Sequence, residues 1–309
     1  MMGRPSAPGR RRALLAGLAG MASPVWALSE GTPSRTALST AIQRAAHQLI
    51  ERPLVFTDPT ALAILGAQRV RWLAMELDRF RTPAAAALRA SLVLRSRYAE
   101  DQLALAWRAG VRQCVVLGAG LDTLALRNPF PGLRIFEVDH PSTQSWKLGL
   151  MRAHGLTSGP GVTHVPVDFE TQSLAQQLAR AGLHSDRPVF FTWLGVTMYL
   201  SREAVTRTLE YVARDCARGS AIVFDYLLTE DLLSAADRAA RARLAIAVAQ
   251  VGEPWVSAFE PGSLSMTLSA LGFSRIEDLD QASAQQRYFG AHGSGFSASN
   301  ASRVLRAGT

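Results

Sequence analysis

The sequence predicts an α/β fold in which a mostly parallel sheet carries its ligand at the carboxyl ends of the strands. Two observations predict it. The stretch QCVVLGAGLDTLALR, Gln113 to Arg127, followed by LRIFEVDHP, Leu133 to Pro141, reads as strand, tight glycine turn, short helix and second strand. Beyond it, apolar runs in Val162 to Phe169, Pro188 to Leu200 and Ser220 to Tyr226 alternate with helical patterns, as repeated strand–helix units do. Length and composition agree, since 309 residues with 48% hydrophobic content can bury the core of one α/β domain with a cap.

In the central stretch, Cys114 to Leu117 is short, apolar and contains two valines, which suits a strand covered on both faces. Gly118 and Gly120 follow. Lacking Cβ atoms, they let the chain turn sharply and a ligand lie against the backbone. The second strand ends in Glu137, Val138 and Asp139, which brings a carboxylate to the edge where open α/β sheets bind ligands, and an acid there suits a ribose diol. A glycine pair also serves packing alone, so the turn by itself leaves a structural and a ligand reading open. A dinucleotide turn requires a third small residue where Thr123 stands. The pattern therefore favours a nucleoside without a pyrophosphate, with S-adenosylmethionine as the candidate.

The ordered segments LVLRSRYAEDQL, VVLGAGLDTLALR, FEVDHP, VPVDFE and FFTWLGVTMYL resemble the leucine carboxyl methyltransferase-like family of class I S-adenosylmethionine-dependent methyltransferases. The resemblance runs from about Thr36 to the C-terminus, and is strongest to the bacterial branch that includes polyketide-type O-methyltransferases. It implies a seven-stranded, Rossmann-like sheet over residues 111–309, an N-terminal helical lid over 28–110 and a cap at about 228–263 after the fifth strand. It implies a closing antiparallel pair, Phe273 to Leu279 and Ser302 to Arg306, with a long loop, Gln281 to Ala298, between them. It also implies roles. Arg44 and Arg95, with Arg97 as second choice, hold the donor's methionine carboxylate; Gly118 and Gly120 make room for it; Asp139 holds the ribose; Asp168 and Phe169 hold the adenine.

Taken in order, the chain opens with Arg10, Arg11 and Arg12 before an apolar run, Ala13 to Met21, and a small-residue stretch at Val25 to Ala27. This resembles a twin-arginine export signal, and the run is too short to span a bilayer as a mature helix. Three readings of Met1 to Ala27 stay open: a signal, a start site placed too far upstream, and a disordered leader. Because S-adenosylmethionine is a cytoplasmic metabolite, cytoplasmic residence is expected, with export as the alternative. Ser34 to Ile50 reads as a helix with Ser34 as N-cap, and its Arg44 serves either the donor or a surface ion pair. Asp58 before Pro59 reads as turn chemistry.

Pro83 to Ala109 is a long Ala- and Leu-rich helical pattern ended by Gly110. Its Arg95 and Arg97 can grip a carboxylate bidentately, or pair with Glu100 and Asp101 at helical spacing. Asp168 ends the third strand, where it contacts adenine or caps the helix Ser173 to Ala181. In the turn after the fourth strand Leu194 stands where the leucine carboxyl methyltransferases have a glutamate, which puts protein C-terminal leucine in doubt as the acceptor. Tyr199 either presents its hydroxyl to an acceptor or packs in the core. Ser201 to Asp215 reads as a helix; Asp225 and Tyr226 end the fifth strand, facing the ligand edge. Thr229 to Val251 reads as an amphipathic helix, and the loop Gly252 to Phe259 supplies Trp255 and Phe259 as aromatic walls for an acceptor.

The net charge is +8, but Arg4, Arg10, Arg11 and Arg12 supply half of it, leaving +4 for the remainder, without the basic clusters of a nucleic-acid interface. Cys114 and Cys216, 102 positions apart, read as small buried hydrophobes. The six histidines show no metal-ligand spacing. The expected activity is O-methylation of a small molecule, a carboxylate or a phenol, by alignment rather than by a strong base. A non-catalytic S-adenosylmethionine-binding protein is the first alternative. A nicotinamide-dependent oxidoreductase, disfavoured by Thr123, is the second.

Overall fold

The structure is a computed structural model that describes residues 34–169 and 171–309, so the expectation for Met1 to Ala27 lies outside the described residues. Four helices come first: α1 (Arg35–Ile50), α2 (Thr60–Met75), α3 (Leu77–Phe80) and α4 (Pro83–Arg108). Ser34 accepts from the Ala37 N–H at 3.0 Å and so caps α1, as its position suggested. Thr82 caps α4 in the same way, with Pro83 at its first turn. Chain and sheet then alternate through β1 (Gln113–Leu117), α5 (Leu124–Arg127), β2 (Arg134–Asp139), α6 (Pro141–Ala153), β3 (Val162–Pro166), α7 (Leu174–Arg180), β4 (Phe190–Trp193), α8 (Arg202–Glu210) and β5 (Ala221–Leu227). The end of the chain adds α9 (Ala235–Ala249), α10 (Pro261–Leu271), β6 (Arg275–Leu279), α11 (Gln281–Ala284) and β7 (Ser302–Gly308).

The strands form one sheet in the order β3-β2-β1-β4-β5-β7-β6. The first five are parallel, and β7 runs antiparallel between β5 and β6. This is the seven-stranded, Rossmann-like arrangement expected. Every residue of β1, β4 and β5 is buried, as continuous apolar runs in central parallel strands require. Cys114 and Val116 join the layer made with α4, while Val115 and Leu117 join the opposite one with α8 and α10 residues. The order reverses between β1 and β4, which opens a crevice at their carboxyl ends.

Four local expectations are corrected. Residues Gln281 to Ala298 are not a long loop: Asp280 accepts from the Ser283 N–H at 2.8 Å and starts α11, and helical turns continue to Gly295. Buried Phe289 and Phe296 hold those turns against the α4 layer. The third strand stops at Pro166, because the Asp168 carbonyl accepts from the Gln172 N–H at 2.9 Å and turns the chain. The next helix is capped by Ser173 rather than by Asp168. Helix α8 ends at Glu210, and a wider π turn, Tyr211 to Asp215, sets Tyr211 edge-on to Phe191 at 6.2 Å. The insertion after β5 leaves at Leu228 and returns at Phe259, whose N–H donates to Leu227 O at 2.8 Å. In it α9 buries only Val248.

Candidate functional site

The glycine turn after β1 sits at the crevice. Gly118 and Gly120 have φ of +64° and +46°, the left-handed region that side chains disfavour. A methyl group added at Gly118 would overlap Val196, from the loop after β4, and one at Gly120 would lie 3.1 Å from the Ala37 side chain on α1. The turn is therefore bare backbone pinned between two neighbours, a cradle that only glycine fits. Asp139, at the end of β2, accepts from the Gly120 N–H and from its neighbour His140 N–H at 2.7 Å. Burial pushes its pKa up, opposed by those two N–H groups and by Lys147. Two residues back on the same face, Glu137 is fully buried against Lys147 Nζ at 2.6 Å, with His164 Nδ1 at 3.3 Å. Of the two acids, Asp139 is the one left at the strand end.

Arg44 reaches the turn from α1. Its guanidinium donates to Leu121 O, and its Nε lies 3.5 Å from Asp58. Asp58, 0% exposed, is the hub of this layer: it accepts from Thr123 Oγ1 at 2.7 Å and from the Ala61 N–H at 3.1 Å, and pairs with Arg127 at 3.3 Å. Glu100 takes the other end of Arg127. Burial alone would lower the Arg127 pKa, but Glu100 and Asp58 outweigh it and hold it above the ordinary arginine value. Thr123, which displaces the third small residue of a dinucleotide turn, thus earns its place by tying the turn to Asp58 and Arg127.

On the far side of the crevice, Arg95 pairs with Asp225 at 2.9 Å, and Asp225 also accepts from the Gly195 N–H at 2.5 Å. A methyl group on Gly195 would meet the Arg95 guanidinium at 2.5 Å, so the strand-end glycine lets that cation lie close beneath it. Arg97 takes the plainer of its two readings: it is exposed and pairs with Asp101 at 2.9 Å, one helical turn away. Leu194 packs against the α4 layer. Tyr199, half-buried, lies beside Thr36 and the Trp255 indole, and burial pushes its pKa up, so the hydroxyl stays protonated.

The structure thus brings Gly118, Gly120, Asp139 and Arg44 together, with Arg95, Tyr199 and Trp255 across the crevice. Asp168 and Phe169 lie at the neighbouring strand end, where the Val167 N–H donates to Asp139 O at 2.8 Å; Asp168 accepts from Thr171 Oγ1 at 2.9 Å. Two residues fall elsewhere. Tyr226 is 0% exposed, and its hydroxyl donates to Asp278 at 2.6 Å. Successive strand residues face opposite ways, so with Asp225 turned to Arg95, Tyr226 must point into the other layer. Phe259 follows it there, edge-on at 6.3 Å and under the Arg202 guanidinium. Tyr226→Phe is accordingly expected to lower unfolding free energy by about 1–2 kcal/mol, through the lost hydrogen bond to an Asp278 that keeps only Arg303, at 3.2 Å, and to leave acceptor KM unchanged. Equilibrium unfolding and steady-state kinetics check this.

Sequence reasoning missed Asp58 as more than a turn residue, and it missed Thr36, Val196 and Glu253 entirely. Only the Asp-Pro dipeptide carried a signal, and a local one.

The family model for leucine carboxyl methyltransferase matches residues 37–213. The candidate S-adenosyl-L-methionine-dependent methyltransferase YktD of Bacillus subtilis is 30% identical over 280 residues, covering 83% of this chain and 91% of its own. A candidate of the same description from Parafrankia is 36% identical over 196 residues, covering 62% of each chain. Among solved structures, a methyltransferase candidate from Thermobifida fusca superposes with a TM-score of 0.56 at 17% identity, over 91% of this chain and 96% of its own, a likeness of fold. Among the described residues, no helix is long and apolar enough to cross a membrane.

Proposed function

Since this chain belongs to the leucine carboxyl methyltransferase family and is an S-adenosylmethionine-dependent methyltransferase, we propose that it methylates an oxygen of a small-molecule acceptor, a carboxylate or a phenol, in the crevice between β1 and β4. The observation that carries this reading is the bare glycine turn with Asp139 beside it, opposite the Arg95, Tyr199 and Trp255 side. The cradle fits the donor. Gly118 and Gly120 admit its amino-acid end, Asp139 exchanges its hold on the Gly120 N–H for the ribose hydroxyls, and Asp168 with Phe169 takes the adenine. Arg95 holds the donor carboxylate from beneath Gly195, and Arg44 braces the turn through Leu121 and Asp58.

When bound, the donor supplies a methyl group already activated by its sulfonium. The chain's own residues then have to align, shield and orient. Asp139, Asp225 and Glu253 are all engaged by N–H or guanidinium groups, and Tyr199 stays protonated. Tyr199 orients the acceptor as a hydrogen-bond donor, and the apolar Leu194 and Val196 keep water from the crevice. Residues 34–110 act as the lid and 228–263 as the cap over the acceptor.

Calorimetric titration of S-adenosylmethionine and S-adenosylhomocysteine into the full chain tests the donor site. Micromolar binding, on the order of −8 kcal/mol, is expected, weakened at least about 100-fold in Asp139→Ala and less in Asp139→Asn. A folded wild type that binds neither compound refutes the site. Transfer of labelled methyl to a panel of carboxylates and phenols tests the acceptor. Donor binding without product on any of them would overturn the carboxylate-or-phenol reading of the acceptor. An NADH titration in parallel separates the oxidoreductase.

A further inference from the structure

The first turn of α1 contains no acid of its own, yet its N–H groups are capped. The carboxylate that reaches them belongs to Glu253, in the loop that closes the insertion after β5. It accepts from Ser34 Oγ at 3.0 Å, from the Arg35 N–H at 2.6 Å, from the Thr36 N–H at 3.4 Å and from Thr36 Oγ1. A helix start concentrates unpaired donors and partial positive charge, so a carboxylate placed there is held by both. This cap comes from 219 positions away in the sequence rather than from a neighbour.

The turn that Glu253 grips is also the turn that covers the donor cradle. Ala37 lies against Gly120, Arg44 one further stretch along α1 reaches Leu121, and Thr36 lies beside Tyr199 on the acceptor side. At its other flank the Ser34 N–H donates to Thr143 Oγ1 at 3.2 Å, at the start of α6 just beyond Asp139. The start of α1 is therefore stretched between the ribose side and the acceptor side, and Glu253 is its tether to the latter. Next to it, Trp255 stands beside Tyr199, and the Val256 N–H donates to Met198 O at 2.7 Å, which fixes the loop to the segment after β4.

We infer that Glu253 is a positioning residue that latches α1 across the glycine turn, so that the donor enters and leaves only when the latch opens and the acceptor wall forms only when it closes. This rests on the reading that the Gly118–Gly120 turn holds the donor. A latch present in both the empty and the loaded closed states sets rates rather than affinity. Its removal speeds entry and exit together.

Stopped-flow association and dissociation of S-adenosylhomocysteine on the full chain test this with wild type, Glu253→Ala and Glu253→Gln. Circular dichroism establishes that each variant is folded. In Glu253→Ala both rate constants are expected to rise about tenfold, the worth of one good helix cap, with Kd unchanged within about twofold. Glu253→Gln, which keeps one oxygen for the N–H groups, is expected to fall between. With acceptor present, kcat should drop while the donor KM holds. Unchanged rates in a folded Glu253→Ala, or a Kd raised through dissociation alone, would overturn the latch and leave the donor site standing. Failure of wild type to bind at all would instead overturn the donor site beneath it.

Discussion

Asp58→Ala is expected to lose about 3–5 kcal/mol of unfolding free energy. Asp58 is fully buried with two guanidiniums, Arg44 and Arg127, within 3.5 Å and 3.3 Å of its oxygens. Deleting the carboxylate leaves the buried Arg44 and the half-buried Arg127 with one fewer counter-charge and takes the acceptor from the Thr123 hydroxyl, while the Ala61 N–H keeps the Asp58 carbonyl. Arg127 retains Glu100, whereas Arg44 retains only Leu121 O, so the damage should concentrate at the glycine turn. Donor affinity should fall along with stability. Asp58→Asn, which preserves shape and one acceptor, should lose less. Urea unfolding checks both against Glu210→Ala, which removes an exposed pair with Arg214 and should shift stability by no more than about 0.5 kcal/mol. A loss at Asp58 no larger than that control would mean that the hub holds nothing.

The second large effect is expected from Gly118→Ala. The left-handed backbone at φ +64° costs a non-glycine residue about 1–2 kcal/mol, and the added methyl runs into the Val196 side chain. Overpacking of that kind adds about 1–3 kcal/mol, so a total of about 2–5 kcal/mol is expected, with donor binding weakened because relief requires the turn to shift. The two causes separate in a double-mutant cycle. Val196→Ala in the Gly118→Ala background should restore the overlap portion and none of the backbone portion. If the second substitution restores nothing, the contact between the two loops is not what limits residue 118.

What could be read in the sequence was what short-range chemistry decides. The β1 strand, the glycine turn, the Ser34 cap and the acid at the end of β2 all follow from a handful of adjacent residues, and all stand where expected. What escaped depends on partners far along the chain. Asp58 looks like a turn residue until Thr123, 65 positions later, is folded onto it. The side to which Tyr226 points is set by which neighbour of the pair faces Arg95, a contact across 130 positions. The polar stretch after Asp280 looks like a loop because its helical turns are held by two phenylalanines against α4, and nothing within the segment announces that surface. Helix α10 escaped as well, although Glu260, Pro261 and Gly272 stand at its ends.

The place of β7 has a consequence for how the chain assembles. Strands β1 to β5 can pair as soon as they exist, but β6 hydrogen-bonds only to β7 within the described sheet, and β7 follows it in sequence. During synthesis, β6 therefore waits without a partner, and β5, buried over its whole length in the finished protein, waits with an open apolar edge. A single late pairing event seals both. Slow arrival of that strand, rather than any weakness of the completed sheet, is then where misassembly and aggregation would begin, and where a chaperone would have most to protect.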